Sequence, residues 1–163
     1  MKNKNLSFMT QAAMIAAIYV VLTYIFAPFS FGEVQVRISE ALTILPIFTP
    51  AAIPGLFAGC LIGNILGGAI LPDIVFGSIA TLIGAFFTWK LREQKPVVAT
   101  FPPIISNIII VPFVLRYGYG VTLPIPFMML TVGIGEIVSC GVLGIVLYTA
   151  LNKYRHILFR SKF

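Results

Sequence analysis

Charge is scarce in this sequence. Only 10% of its 163 residues are Asp, Glu, Lys or Arg, whereas a soluble domain is roughly a quarter charged. Hydrophobic residues make up 59% of the chain, and its mean hydropathy is +1.02. This composition excludes a water-soluble globule and predicts an integral membrane protein.

Residues that carry catalysis or bind metals are also few. The single histidine, His156, lies in a basic tail, and the two cysteines, Cys60 and Cys140, lie in separate apolar stretches. That distribution supports neither a disulfide framework nor a metal site. No P-loop, GxSxG or HExxH motif is present. We therefore expect no enzyme, no cofactor and no ATP hydrolysis by the chain itself.

The positive charge, a net +6, gathers at residues 2–4, 90–95 and 153–162. Short basic flanks of membrane spans indicate the cytoplasmic side, so these clusters need no nucleic-acid partner. We expect the N- and C-termini to be cytoplasmic, and we expect no binding to nucleic acid.

Five apolar stretches follow along the chain, at about 8–27, 41–71, 72–91, 97–115 and 124–151. If Lys4 and Lys90 share the cytoplasm, an even number of crossings separates them, so the second stretch must be split. Pro46, Pro50 and Pro54 provide the break. The sequence thus predicts one membrane domain over residues 1–163, an all-α compact bundle of six transmembrane helices.

The first half of the split stretch is unusually short. As an α-helix, residues 39–49 would reach only about 17 Å, less than a hydrocarbon core of about 30 Å. Ser39 is expected to cap its N-terminus. Neighbouring helices must shield such a piece from lipid.

Three predicted spans carry polar residues. A carboxylate such as Glu136 costs about 2.5–3.5 kcal/mol inside a membrane, so it should face the bundle interior. Asn64 and Asn107 add amides on two other helices. Their convergence predicts a binding pocket. Each could instead form a hydrogen bond between helices, and Glu136 could carry a proton.

The segment FGEVQVRISEAL, residues 31–42, is the most unusual in the chain. Its alternating pattern indicates a short extended piece before a helix, with Gln35 available as an amide. Arg37 and Glu40 are close enough to form an ion pair. The segment is either a loop that closes a pocket or a solvated loop. Asp73 follows Pro72 at a predicted helix start, where capping is the favoured role, and it is a further candidate acid.

The first helix carries two overlapping pairs of alanines, Ala12 with Ala16 and Ala13 with Ala17. Small residues four apart form a flat groove that lets another helix approach closely. The partner is either another subunit or a helix of the same chain.

Taken together, the AAMIAA motif, the segment FGEVQVRISEALTILP and six spans in so short a chain resemble the QueT family of substrate-binding subunits of energy-coupling factor (ECF) transporters. The stretch from Arg37 to Pro46 carries the most specific part of the resemblance, which covers essentially the whole chain. The resemblance implies a multi-pass subunit of the cell membrane that captures a queuosine precursor, 7-aminomethyl-7-deazaguanine or a close relative, at its outer face.

The resemblance also implies partners. A transmembrane coupling subunit and two cytoplasmic ATPase subunits would supply the energy, and the alanines Ala12, Ala13, Ala16 and Ala17 would dock on the coupling subunit. A deazaguanine offers a donor edge to a carboxylate, a carbonyl to a donor and a cationic arm to an acid. The candidate substrate residues, with individual roles open, are Gln35, Arg37, Glu40, Asn64, Asp73, Asn107 and Glu136.

Two other classes of function remain open at this point. One is a stand-alone proton-coupled carrier or channel for a small polar solute, with Glu136 as the proton group. The other is a structural or assembly protein whose polar residues all join helices.

Overall fold

Helices follow one another through the part of the chain, residues 4–30 and 36–159, that the computed structural model describes. They are α1 (Lys4–Ile25), α2 (Ala27–Ser30), a 3₁₀ helix (Ile38–Ile47), α3 (Ala52–Leu66), α4 (Leu71–Lys90), α5 (Pro96–Phe113), α6 (Ile125–Glu136), α7 (Gly144–Lys153) and α8 (Arg155–Leu158). The π-helical turn Val114–Gly118 extends α5, and the π-helical segment Ile137–Leu143 joins α6 to α7. The prediction of an all-α fold is confirmed for these residues.

Within the described residues, four helical stretches are long and apolar enough to cross a membrane, namely Lys4–Ile25, Leu71–Lys90, Pro96–Gly118 and Ile125–Lys153. The other two predicted spans are shorter, because the 3₁₀ helix has 10 residues and α3 has 15. Six crossings and cytoplasmic termini therefore stay predictions.

The predicted break in the long apolar stretch is confirmed. The 3₁₀ helix ends at Ile47 and α3 begins at Ala52. Between them the buried hydroxyl of Thr49 accepts the backbone N–H of Ala51 at 3.3 Å and donates to Gln11 Oε1 on α1 at 2.9 Å. This turn is thereby held against the N-terminal half of α1.

The first half of that stretch is a 3₁₀ helix and not the expected α-helix. A rise of about 2 Å per residue extends its ten residues to roughly 20 Å. Ser39 to Pro46 are all buried, and the segment contacts α1, α3, α4, α5 and α7. Because 3₁₀ runs of this length are uncommon, enclosure by these helices is what holds it.

Ser39 does not cap this helix as predicted. The position before the first helical residue belongs to Arg37, which is extended at φ −91° and ψ 102° and makes no capping bond. Ser39 lies inside the helix, where its hydroxyl accepts a hydrogen bond from Thr23 of α1 at 2.8 Å. A buried hydroxyl needs a partner, and α1 provides it.

Helix α3 approaches α1 through glycines four residues apart. A Cβ added to Gly55 would lie 2.7 Å from the carbonyl oxygen of Ala12, and one on Gly59 would lie 2.8 Å from Tyr19 Cβ. Both distances are too short for any side chain. Small residues thus allow the close helix contact that membrane bundles use.

Helices α4 and α5 run in opposite directions. The end of α4 lies beside the start of α5, since Thr88 Oγ1 donates to the Ala99 carbonyl at 2.9 Å. Helix α7 also ends there, because Arg92 and Arg155 line one common cavity. We call this the basic end; its exposed cations include Lys90, Arg92, Lys95, Lys153 and Arg155. The start of α4 and the end of α5 lie at the opposite end.

We expect Gly59→Ala to lower the free energy of unfolding by about 1–3 kcal/mol, because the added methyl group forces α3 away from α1. Gly141→Ala is the matched control, since its Cβ would meet only Ile137 Cγ2, at 3.8 Å. Thermal unfolding in detergent should show a lower Tm for the first variant and no loss for the second. Equal Tm values would contradict this account of the α1–α3 contact.

Candidate functional site

Six of the seven candidate substrate residues lie buried inside the bundle. Each is at most 4% exposed; they are Arg37, Glu40, Asn64, Asp73, Asn107 and Glu136. The seventh, Gln35, lies outside the described residues. The six come from the 3₁₀ helix region and from α3, α4, α5 and α6, and they form two adjoining clusters.

The first, the arginine cluster, surrounds the carboxylate of Asp73 in the first turn of α4. Asp73 Oδ2 lies 3.5 Å from Arg37 Nη2 and accepts a hydrogen bond from the Tyr119 hydroxyl at 2.9 Å. Asn64 of α3 donates to the backbone carbonyl of Asp73 at 3.3 Å. The cluster thus ties the segment before the 3₁₀ helix to α3, α4 and the end of α5.

Asp73 does not cap α4, which was its favoured role from the sequence. The N-cap position is Ile70, and no side chain caps the helix. The carboxylate turns inward to Arg37 instead. A buried guanidinium without a counter-charge would cost several kcal/mol, more than an uncapped helix start at about 1 kcal/mol.

Tyr119 was missed by the sequence reasoning. It lies just beyond the π-helical turn that extends α5. Burial and the nearby Asp73 carboxylate raise the pKa of the Tyr119 hydroxyl. The hydroxyl therefore stays protonated at neutral pH and remains a donor to Asp73.

The second, the glutamate cluster, begins at Glu40, three residues after Arg37. Glu40 Oε1 accepts a hydrogen bond from the hydroxyl of Tyr19 on α1, and Thr81 Oγ1 of α4 lies 3.4 Å from the same oxygen. Tyr19, 1% exposed, was not predicted from the sequence. A buried tyrosine on an apolar helix carries no signal of its own that it meets an acid.

Glu136 completes the glutamate cluster from α6. Its Oε2 accepts from the Cys140 thiol at 3.1 Å, and the Asn107 amide of α5 lies within hydrogen-bonding reach. Glu136 is 2% exposed, which confirms that it faces the interior. Ligand atoms of Glu40, Glu136 and Cys140 lie within 4.8 Å of one another, so residues about 100 positions apart meet.

Negative charge exceeds positive charge in the described part of this site. Three carboxylates, Glu40, Asp73 and Glu136, accompany one cation, Arg37, and Arg37 pairs with Asp73. Two carboxylates in contact in a low-dielectric interior cannot both stay charged without compensation. The arrangement is suited to a cationic group, a shared proton or several hydrogen-bond donors.

Unpaired acceptors support the same conclusion. Glu40 Oε2, Asn64 Oδ1 and Asp73 Oδ1 are buried and receive no hydrogen bond from the described residues. Buried polar atoms are nearly always paired in folded proteins. These oxygens therefore mark positions where donors from a ligand or from water would bind.

Gly77 of α4 leaves space beside two of these groups. A Cβ at this position would lie 3.0 Å from Asp73 Oδ1 and 3.2 Å from Asn64 Nδ2. Any side chain would press on the carboxylate and the amide. The sequence gave no reason to single out this glycine.

The glutamate cluster also contains side chains of the kind that bind metal ions. Glu40, Glu136 and Cys140 offer two carboxylate oxygens and one sulfur, and zinc accepts such ligands. The expectation that the chain needs no metal stays a prediction.

Sequence comparisons identify relatives of the chain. The profile of the family described as QueT transporter matches residues 9–153. One curated relative, the queuosine precursor transporter QueT of Lactococcus lactis subsp. cremoris (strain MG1363), is 33% identical over 84 residues. That alignment covers 50% of this chain and 48% of the relative, so the chain spans about half the relative's length. No solved structure matches.

The ion pair gives a test of the arginine cluster. Asp73→Asn removes the carboxylate that pairs with the buried Arg37, and we expect a loss of about 3–5 kcal/mol in the free energy of unfolding. Glu93→Gln is the control, because its pair with Arg92 is exposed and contributes less than about 1 kcal/mol. Thermal unfolding in detergent compares the two. Similar Tm values would mean that the Arg37–Asp73 pair does not hold the cluster.

Proposed function

The chain belongs to the QueT transporter family, and on that premise we propose that it is the substrate-binding membrane subunit of an ECF-type importer. Its substrate is a queuosine precursor, 7-aminomethyl-7-deazaguanine or a close relative. The name of the Lactococcus relative, a queuosine precursor transporter, supports this class of substrate. The chain would act as a multi-pass protein of the cell membrane.

The observation that carries this proposal is the excess of buried acceptors. A deazaguanine presents an N–H and amino edge and an ammonium arm, and both need acceptors. Glu40 and Glu136 supply adjacent buried carboxylates to such donors, and charge-assisted bonds of this kind are strong. The donor to the carbonyl of the base would be the Asn107 amide, because the Asn64 nitrogen already donates to the Asp73 carbonyl oxygen and to Cys60 Sγ.

Capture at the outer face follows from the charge distribution. The site lies toward the end opposite the basic end, and basic flanks favour the cytoplasm. With six crossings and both termini inside, the site faces outward.

Coupling to an energy source would use α1. Ala12 and Ala16 pack against the α3 glycines, whereas Ala13 and Ala17 are exposed. One pair of alanines therefore contacts a helix of the same chain, and the other pair is accessible to another subunit, which were the two alternatives from the sequence. We assign docking on the transmembrane coupling subunit, which acts with two cytoplasmic ATPases, to the exposed pair.

A stand-alone proton-coupled carrier is the second candidate. Adjacent buried carboxylates, here Glu40 and Glu136, share a proton readily. This function requires transport by the chain alone in liposomes, driven by a pH gradient. The importer subunit instead binds its substrate but transports nothing without its partners.

The binding proposal is tested with protein purified in detergent and no ATP. We expect 7-aminomethyl-7-deazaguanine to bind in calorimetry, and Glu40→Gln or Glu136→Gln to weaken it at least about tenfold, or 1.4 kcal/mol. The Glu93→Gln variant, changed at an exposed residue just beyond the end of α4 that is remote from the site, should bind as the parent does.

A second compound, the form of the precursor with a nitrile in place of the aminomethyl arm, sharpens this test because it lacks the ammonium group. It should bind more weakly than the amine, and the glutamate that contacts the ammonium should affect only the amine. If neither compound binds the parent protein, the proposed substrate is wrong.

The docking proposal is tested by uptake in cells that contain the partner subunits. Ala13→Leu with Ala17→Leu should abolish uptake while the purified protein keeps its affinity, because the new side chains block only the exposed face. Ala12→Leu with Ala16→Leu, in contrast, should lower Tm, since these positions face Gly55 and Gly59. Normal uptake by the first double variant would reject the docking role.

A further inference from the structure

The cavity at the basic end of the bundle lies away from the two clusters. Its volume is about 590 Å³. Its walls come from three segments that are distant in sequence, namely the turn of residues 46–50, the end of α4 with the residues that follow it, and α7 with α8. Neither the arginine cluster nor the glutamate cluster contributes to it.

Aromatic packing shapes one wall of this cavity. The Phe48 ring stacks on Tyr148 with centroids 5.3 Å apart and on Phe159 at 5.1 Å. These contacts join the turn after the 3₁₀ helix to α7 and to the residue that follows α8. The wall is therefore held by side-chain packing and does not depend on loop conformation alone.

Arg92 forms part of the opposite wall in a defined position. Its guanidinium lies 4.5 Å from the centroid of the Trp89 ring, and Nη1 donates to the Trp89 carbonyl oxygen at 3.0 Å. Stacking and a backbone bond leave further N–H groups for a ligand. An arginine held in this way loses less entropy when it binds a planar or tetrahedral anion.

The cavity lining is positive overall. Arg155 supplies a second guanidinium, and Glu93 is the one carboxylate on the described lining. Glu93 Oε1 lies 3.8 Å from Arg92 Nη2, and its side chain is 85% exposed. Such an exposed pair is weak, so an anion of higher charge density can displace the carboxylate.

The position of the cavity indicates which anion it meets. Trp89 is at the end of α4, and tryptophans favour the membrane–water interface. Lipid phosphates lie at this level, and basic pockets between transmembrane helices bind anionic head groups. Arginine forks bind phosphate oxygens in pairs. We propose that this cavity binds the phosphate group of an anionic phospholipid, held by Arg92 and Arg155.

Native mass spectrometry of the intact chain in detergent tests the proposal, with phosphatidylglycerol and phosphatidylcholine of the same acyl chains as probes. Arg92→Gln with Arg155→Gln should weaken phosphatidylglycerol binding about tenfold or more. The matched control, Lys95→Gln with Lys153→Gln, removes the same charge at the same end from residues that do not line the cavity. It should change binding less than about twofold.

Glu93→Gln provides a test in which lipid binding should become stronger, and not weaker. Removing the competing carboxylate should strengthen phosphatidylglycerol binding, because both guanidinium groups then face the lipid phosphate. Equal losses in the two double variants, no preference for phosphatidylglycerol over phosphatidylcholine, or no gain from Glu93→Gln would each overturn the proposal. Inorganic phosphate that displaces the lipid at equal concentration would also overturn it, since a free ion would then be the ligand.

Discussion

The ion pair between Arg37 and Asp73 sets the position of the polar interior. Arg37 is the last residue before the 3₁₀ helix, and Asp73 lies in the first turn of α4. Their contact places the start of one helix against the start of the other. Glu40 follows one 3₁₀ turn later and so reaches Tyr19 and Thr81. Lipid offers no partner for any of these groups, so they must satisfy one another.

This constraint also explains why the site has more acceptors than donors. The guanidinium is already engaged by Asp73, and the Tyr19 hydroxyl serves only one oxygen of Glu40. Glu136, from the other end of the chain, adds a second carboxylate beside Glu40. An arrangement with this excess is costly in the absence of a donor-rich partner. Substrate capture provides a reason for a membrane protein to keep it.

The two ends of the bundle differ in the chemistry that they offer. One end holds buried carboxylates that are suited to a cationic, donor-rich molecule. The other holds exposed cations and a cavity with Arg92 and Arg155 on its walls. The same charge asymmetry that favours one orientation in a bilayer thus separates the proposed site for a small solute from the proposed site for lipid phosphate.

The sequence by itself determined the helical segments, because hydrophobic runs and proline breaks are local signals. It predicted the break near Pro50 and the burial of Glu136, and both are confirmed. It also selected six acidic, basic and amide residues that the fold brings together, since polar groups inside apolar runs stand out by their cost.

Only the tertiary structure decided which partners these residues meet. Asp73 binds Arg37 instead of capping α4, and Ser39 bonds Thr23 instead of capping the 3₁₀ helix. Tyr19, Tyr119 and Gly77 had no local signature, because their roles arise from neighbours on other helices. The alanines divide into a half-buried pair and an exposed pair for the same reason, since α3 covers one side of α1. A contact between Glu40 and Glu136 is a property of helix packing and cannot be read from either segment alone.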